Sequence, residues 1–169
     1  SLDAPQVTIE RVETAALTGL VCGHVTFAGA PCIAIGPTLP IMARLRVLMA
    51  AAGLGMGRRA LREALATARA AHTAAAGEQT VQGLLADAAT ELDAAMLMTW
   101  KAALGAGAAT DAGTPLLADA SLAKLMSTQA AQRAVERATQ VIGADSFRAG
   151  HVIERLAQDV RALELFAGR

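Results

Sequence analysis

The sequence predicts a mainly α protein: an antiparallel up-down-up-down four-helix bundle preceded by a few β-strands. Three observations lead there. Apolar residues recur at helical spacing over three long stretches and one shorter one, between about residues 41 and 165. The stretches are separated by short connections rich in small residues, so successive helices must run antiparallel. The composition is 54% hydrophobic but only 2% aromatic, with abundant alanine, which suits helices that approach closely through small side chains while Leu and Met fill gaps. The 169 residues divide accordingly into residues 1–36, a remnant of β structure, and residues 37–169, the bundle.

Taken in order, Gln6 to Val12 partly alternates, with Val7, Ile9 and Val12 apolar, and reads as a strand. Val21 to Phe27 is a second candidate and Pro31 to Ile35 a short third. So few strands are not stable alone and must pack on the helices or on other strands. Pro37 to Pro40 is a proline-bounded break, and a helix follows from about Ile41 to Ala74. Leu45, Leu48, Met49, Ala52, Met56, Ala60, Leu61 and Ala64 form its apolar stripe. Gly53, Gly55 and Gly57 fall inside it. A dinucleotide loop needs a preceding strand, so close helix–helix approach is the better reading of GLGMG. After a small-residue turn, Thr73 to Glu78, the second helix runs to about Leu104 on Val81, Leu85, Ala88, Leu92, Ala95, Met96 and Ala103, interrupted by the polar Thr99. Trp100 reads as packing. Gly105 to Gly113 is a Gly/Ala-rich loop. Thr114 caps a third helix from about Pro115 to Ile142, with Leu122, Leu125, Met126, Ala130, Val135, Ala138, Val141 and Ile142 at helical spacing. Gly143 stops it, because glycine takes the left-handed conformation at low cost. His151 to about Leu165 is the fourth helix, with Ile153, Leu156, Val160 and Leu163 on its stripe.

Charge and motif content exclude several classes. Formal net charge is +0, from 15 basic and 15 acidic residues, which gives no electrostatic case for nucleic acid or an anionic membrane surface. The nearest approach to a membrane span, Pro40 to Gly57, holds Arg44 and Arg46, so no span is expected. There is no secretory pattern at the start. Cys22 and Cys32 are the only cysteines and suggest no disulfide framework, so the expected compartment is the cytoplasm. His24, His72 and His151 lack metal-ligand spacing, and no metal is expected. The chain opens SLDAPQ without a methionine, as a piece of a longer protein would.

The stretch from Ala130 to Arg169 resembles the C-terminal end of an acyl-CoA dehydrogenase, whose pattern is roughly A-x-Q-x-x-G-G-x-G-[YF] … V-E-R-L-x-R-D-A-R … I-Y-E-G-T. Gln140, Gly143, Phe147, Glu154, Arg155, Leu156, Asp159, Arg161 and Gly168 match without gaps. RVLMAAAGLGMGRRALREAL, VQGLLADAATELDAA and SLAKLMSTQAAQRAVERATQVIG are similar to the family's three long helices, with Gln79 and Lys124 at family positions. Residues 1–36 are loosely similar to the last strands of its middle β domain. Ala144 and Ser146 replace glycines and Gln158 an arginine. The loop before the second helix lacks a clear counterpart of the family's flavin-contacting Arg and Phe; Arg69 and His72 are nearby. The family's N-terminal helical domain, most of its β domain and its last helix have no counterpart here.

The resemblance implies a flavoprotein that takes acyl-CoA as substrate. A base removes the α-proton of the thioester and FAD takes the β-hydride. The family's glutamate base stands at one of two places. The first is Ala167, which has no titratable group. The second is the stretch Ala43-Arg44-Leu45-Arg46, which has no carboxylate. The usual base is therefore expected to be missing, and no catalytic residue is assigned. Glu164, three residues before Ala167, reads as a surface helix residue. In the family the Q-x-x-G-G turn meets the adenosine-pyrophosphate end of FAD held by a neighbouring subunit, which here implicates Gln140, Val141, Ile142, Gly143 and Ala144. An ordinary helix cap with an exposed glutamine remains open beside it. Arg46 and Gly168 match acyl-CoA-binding positions, with an ordinary solvated arginine as the alternative for Arg46. Glu154, Arg155, Asp159 and Arg161 are expected to form ion pairs. Partners implied are acyl-CoA, a homo- or hetero-oligomer (dimer or tetramer) and an electron-transfer flavoprotein. Two functions follow: an FAD- and acyl-CoA-binding domain without the usual glutamate, or a non-catalytic structural or partner subunit of a heteromeric enzyme. A third, an unrelated helical interaction module, is what the resemblance argues against.

Overall fold

The computed structural model describes residues 5–31, 38–70, 78–108 and 113–166. Ala167, Gly168, Cys32, His72 and most of the expected third strand lie outside them. Strands β1 (Val7–Val12) and β2 (Cys22–Phe27) pair antiparallel, with Val7 opposite Phe27 and Val12 opposite Cys22. Four helices follow: α1 (Thr38–Ala70), α2 (Gln79–Ala108), α3 (Gly113–Ile142) and α4 (Val152–Leu165), with a 3₁₀ turn at Gly143–Phe147 between the last two. The expected mainly α bundle is what forms.

α1 and α3 make the most extensive pairing, and α2 and α4 flank them without touching each other among the described residues. Cross-contacts set the directions. Arg58 on α1 meets Asp93 on α2, Lys101 on α2 meets Asp119 on α3, and Lys124 on α3 meets Glu164 on α4. α1 and α3 run parallel: Arg46 meets Ser121, whereas Gly57 lies against Ala131. That is the up-down-up-down arrangement, drawn together on one diagonal.

The diagonal is close because its seam is made of small residues. α1 buries Ala43, Ala50, Gly53, Leu54, Gly57, Ala60, Ala64 and Ala68. α3 buries Ala120, Ala123, Ala130, Ala131, Ala134 and Ala138 against them. This corrects three expected stripes. Leu48 (64%), Leu122 (49%) and Leu125 (46%) are exposed, as is Ala52, and on α2 the buried residue is Ala102 rather than Ala103. Periodicity finds a face but not its phase when alanine and leucine compete for the core. Thr99 belongs to the core face. It is 5% exposed because its hydroxyl donates to the Ala95 carbonyl and shares a hydrogen bond with Ser127 Oγ, which satisfies the buried polar atom. The α4 stripe, Ile153, Leu156, Val160 and Leu163, is buried as expected.

Helix ends also shift. α1 begins at Thr38 and takes Pro40 into its first turn, where a missing N–H has no intrahelical acceptor to lose. α2 continues through Gly105 to Ala108. α3 begins at Gly113, so Thr114 lies inside the first turn and not at the cap. Gly143 ends α3 at φ +74. Gly143→Ala is expected to destabilise by about 1 kcal/mol through left-handed strain, read as a lower urea midpoint.

By length and composition α1 could cross a membrane. In this fold one side of it is covered by the other three helices. The hairpin is peripheral, with Ile9 (52%), Val25 (44%) and Phe27 (65%) exposed. Its loop is held to the bundle by the Leu17 N–H donating to Asp159 Oδ1 on α4, with Leu17 in the left-handed region at φ 52.

Candidate functional site

The C-terminal end of α4 meets the early turns of α1 and α3, and charged side chains converge there. On α3, Ser121, Lys124 and Thr128 follow at i, i+3 and i+7, so one face of an alanine-rich helix is polar. Arg46 enters from the third turn of α1 and donates to Ser121 Oγ. Lys124 is 4% exposed, and its Nζ donates to the Glu164 carbonyl oxygen at 2.7 Å. Burial pushes the Lys124 ammonium below its ordinary range, the Arg46 charge pushes the same way, and Glu164 opposes both. Glu164 is half-buried rather than a surface residue, because Gln132 Nε2 donates to its Oε2 at 2.7 Å. Arg46, Ser121, Lys124 and Glu164 line one cavity of about 280 Å³ with Leu125, Thr128 and Gln129.

A larger cleft of about 730 Å³ lies between α1, α4 and the β1–β2 loop. Met49, Ala52, Met56, Leu156, Leu163 and Phe166 make it mainly apolar, and Arg155 and Asp159 are its charged lining. The two hollows share the last turn of α4: Leu163 and Phe166 face one and Glu164 the other.

The turn after α3 sits elsewhere. α4 has 14 residues, about 20 Å of helix, and it separates Gly143 from the charged cavity. Gln140 and Ala144 are exposed, and Val141, Ile142 and Gly143 are half-buried. Ala144 is not among the positive-φ residues, so this backbone does not need a glycine there. Ser146 is 1% exposed, and its hydroxyl closes the turn by donating to the Gly143 carbonyl. An added Cβ at Gly143 would meet nothing within 4 Å, so the outer side of the turn is open. These residues fit a polar ligand presented from outside, by an amide side chain and free turn backbone.

The expected site residues thus fall into two groups that one chain does not bring together: Arg46 at one end of α4, and Gln140 to Ala144 at the other. Ser121 and Gln132 were not singled out from the sequence, and Lys124 was noted only as a family lysine; the i, i+3, i+7 polar spacing was the readable signal. Among the described residues, Glu154, Arg155, Asp159 and Arg161 form no ion pair. Glu154 accepts from Gln158 instead, and Asp159 accepts from the Leu17 N–H. The ion pairs that cross between helices involve Arg58, Lys101, Arg133 and Arg137. Trp100, expected to pack, is 56% exposed. No metal-binding group of His, Cys, Asp and Glu occurs among the described residues.

Known proteins resemble this chain in sequence and in fold. A sequence model of the acyl-CoA dehydrogenase C-terminal domain matches residues 39–169. The human mitochondrial short-chain specific acyl-CoA dehydrogenase is 33% identical over 90 residues, which are 53% of this chain and 21% of that protein. The probable acyl-CoA dehydrogenase YngJ of Bacillus subtilis (strain 168) is 31% identical over 126 residues, 73% of this chain and 32% of that one. The chain therefore spans a third or less of the length of these curated relatives. Among solved structures, the Tcur3481-Tcur3483 steroid ACAD covers 99% of this chain and 46% of its own, at TM-score 0.83 and 25% identity. Podospora anserina nitroalkane oxidase covers 98% and 42% at TM-score 0.82 and 22% identity, a likeness of fold. With the family's C-terminal-domain pattern running from residue 39 to 169, this chain belongs to the acyl-CoA dehydrogenase family.

Proposed function

We propose that this chain is the FAD- and acyl-CoA-contacting, oligomer-forming C-terminal domain of an acyl-CoA dehydrogenase-like flavoprotein, and that it lacks the family's usual catalytic glutamate. Residues 37–169 form that domain and residues 1–36 are the last strands of its β domain, in a cytoplasmic protein. The observation that carries the reading is the end of α4: an apolar cleft with room for an acyl chain and a cationic cavity lie on either side of its last turn, at Leu163 and Glu164. Arg46 and Gly168 position the acyl-CoA thioester end. Gln140 to Ala144, some 20 Å away along α4, meet FAD held by a neighbouring subunit. When bound, FAD would supply the hydride acceptor, and an electron-transfer flavoprotein is the partner expected for it. The separation of the two groups of residues is the physical reason for an oligomer, since one chain cannot place both on one ligand.

With alanine at 167 and no carboxylate between 43 and 46, the chain holds no group at the family's positions to take the α-proton. Assayed with acyl-CoA and an artificial electron acceptor, with and without FAD, it is expected to show no turnover. Turnover that Glu164→Gln abolishes would overturn this, because Glu164 would then be the base.

A second reading, a non-catalytic partner subunit, is favoured by the outward face of α1 and α2. Leu48, Leu97, Trp100 and Leu104 are 56–76% exposed there, an apolar surface of the kind that interfaces cover. Sedimentation is expected to show dimers or larger species; a monodisperse monomer would remove this support.

A further inference from the structure

We infer that the β1–β2 loop is a strap, latched by Asp159, that closes on an apolar ligand held in the larger cleft. Leu17 and Leu20 form one wall of that cleft, and Met49 and Met56 of α1 and Leu156 and Leu163 of α4 form others. Neither strand of the hairpin comes close to a helix among the described residues, so the loop meets the bundle while the strands behind it stand apart. A segment with so little packing behind it can lift without unpacking the core, because local opening costs less than global unfolding where few apolar contacts are lost. Leu17 carries both sides of the balance. Its N–H donates to Asp159 Oδ1, and a carboxylate acceptor makes such a bond stronger than a neutral one. Its carbonyl accepts from the Leu20 N–H, which closes a turn. Its backbone stands at φ 52, the one positive φ at a residue other than glycine among the described residues. L side chains rarely take that conformation, and it persists only where the surroundings enforce it. The Asp159 bond enforces it, and the strain favours release. An apolar ligand against Leu17 and Leu20 adds buried area only while the loop is down, so it shifts the balance towards the latched state by its differential affinity for that state.

The strap rests on the reading that the cleft holds an apolar chain, and needs neither FAD nor a thioester. Nile red, a neutral apolar dye, is the probe, and amide hydrogen exchange of the full 169-residue chain reports on the loop. Without dye, the Leu17 amide is expected to exchange by local opening, at a rate that low urea leaves unchanged while core amides of α3 respond. Saturating dye is expected to slow it about tenfold. Asp159→Asn keeps an acceptor but not the charge. It is expected to speed Leu17 exchange about tenfold, the factor that corresponds to losing the charge assistance of one hydrogen bond. It is also expected to weaken the dye several-fold through faster dissociation, with the Val160 and Leu163 amides as protected as before. Because a misfolded Asp159→Asn would also lose the dye, the slowing by dye in the unaltered chain is the measurement that stands without it. Leu17 exchange that tracks global unfolding, Leu17 exchange that saturating dye leaves unmoved, or no saturable dye binding would each overturn the strap, as would dye dissociation that Asp159→Asn does not change. Slowing by Nile red with no binding of acyl-CoA would remove the flavoprotein reading alone. Acyl-CoA binding with Leu17 exchange unmoved by either ligand would remove the strap alone.

Discussion

Gly57→Val is expected to destabilise the bundle by about 3 kcal/mol, near the upper end of what overpacking a core costs. A Cβ at Gly57 would stand 2.6 Å from Leu92 Cδ2 on α2 and 2.9 Å from Ala131 Cα on α3. The leucine tip can rotate away. The Ala131 backbone belongs to a 30-residue helix and moves only if α3 moves, and valine adds two more methyls in the same space. Gly55, two residues earlier, is the internal control. It is exposed, and an added Cβ would meet nothing within 4 Å. Gly55→Ala is therefore expected to be neutral or to stabilise by up to about 1 kcal/mol through helix propensity. Urea unfolding followed by circular dichroism gives both numbers. Equal effects from the two variants would mean that α1 and α3 do not touch at Gly57. The same variant reaches the functional end: Arg46 lies about three turns along α1 from Gly57, so separating α1 from α3 also separates Arg46 from Ser121 and Lys124.

Glu91→Gln is expected to destabilise by about 2 kcal/mol at neutral pH and by little at strongly acidic pH. Glu91 on α2 accepts from Arg137 Nη2 at 2.9 Å and from Arg133 Nε at 2.6 Å, both on α3. The Arg137 hydrogen bond is the main reason its carboxyl is held at about 2, below the ordinary 4.5; burial opposes it and Arg133 adds to it. The same bond raises Arg137 above its usual range. A folded value below the unfolded one means that ionisation and folding favour each other. The stabilisation is complete above the ordinary 4.5 and is lost as pH falls through about 2. The full shift would correspond to about 3 kcal/mol at 1.36 kcal/mol per unit. With Glu91 30% and Arg133 39% exposed, solvent screening brings this to about 2. The buried Arg137 Nη1 has no hydrogen-bond partner among the described residues, so losing the Glu91 charge leaves that guanidinium less compensated. Urea midpoints of the two proteins at neutral pH and near pH 3 test the sign. A gap that stays constant with pH would show that shape, not charge, is what glutamine changes.

The helices were legible where the pattern was unambiguous. α4 has large apolar residues at Ile153, Leu156, Val160 and Leu163 against charged ones, and both its start and its buried face came out as read. Gly143 ended α3 where the sequence placed it. The misread faces were those of the long helices. Leu48, Leu122 and Leu125 attract the eye as core, yet the seam is mostly alanine and glycine, with Leu54 the one leucine that α1 buries there, and at Gly57 the two helices leave no room for a side chain. Glu164 and Trp100 were assigned by the habits of their residue types. Gln132 and the exposed face of α2 decided otherwise.

Residue identity and local periodicity were enough for the family, the four-helix class, the turn at Gly143 and the absence of a carboxylate at residues 43–46 and at 167. Only the tertiary structure decided that Arg46, Lys124 and Glu164 share one cavity while Gln140 stands at the far end of α4. Those residues are up to 118 positions apart in sequence. Their meeting depends on which small residues let α1 and α3 close together, and that packing choice is settled between helices.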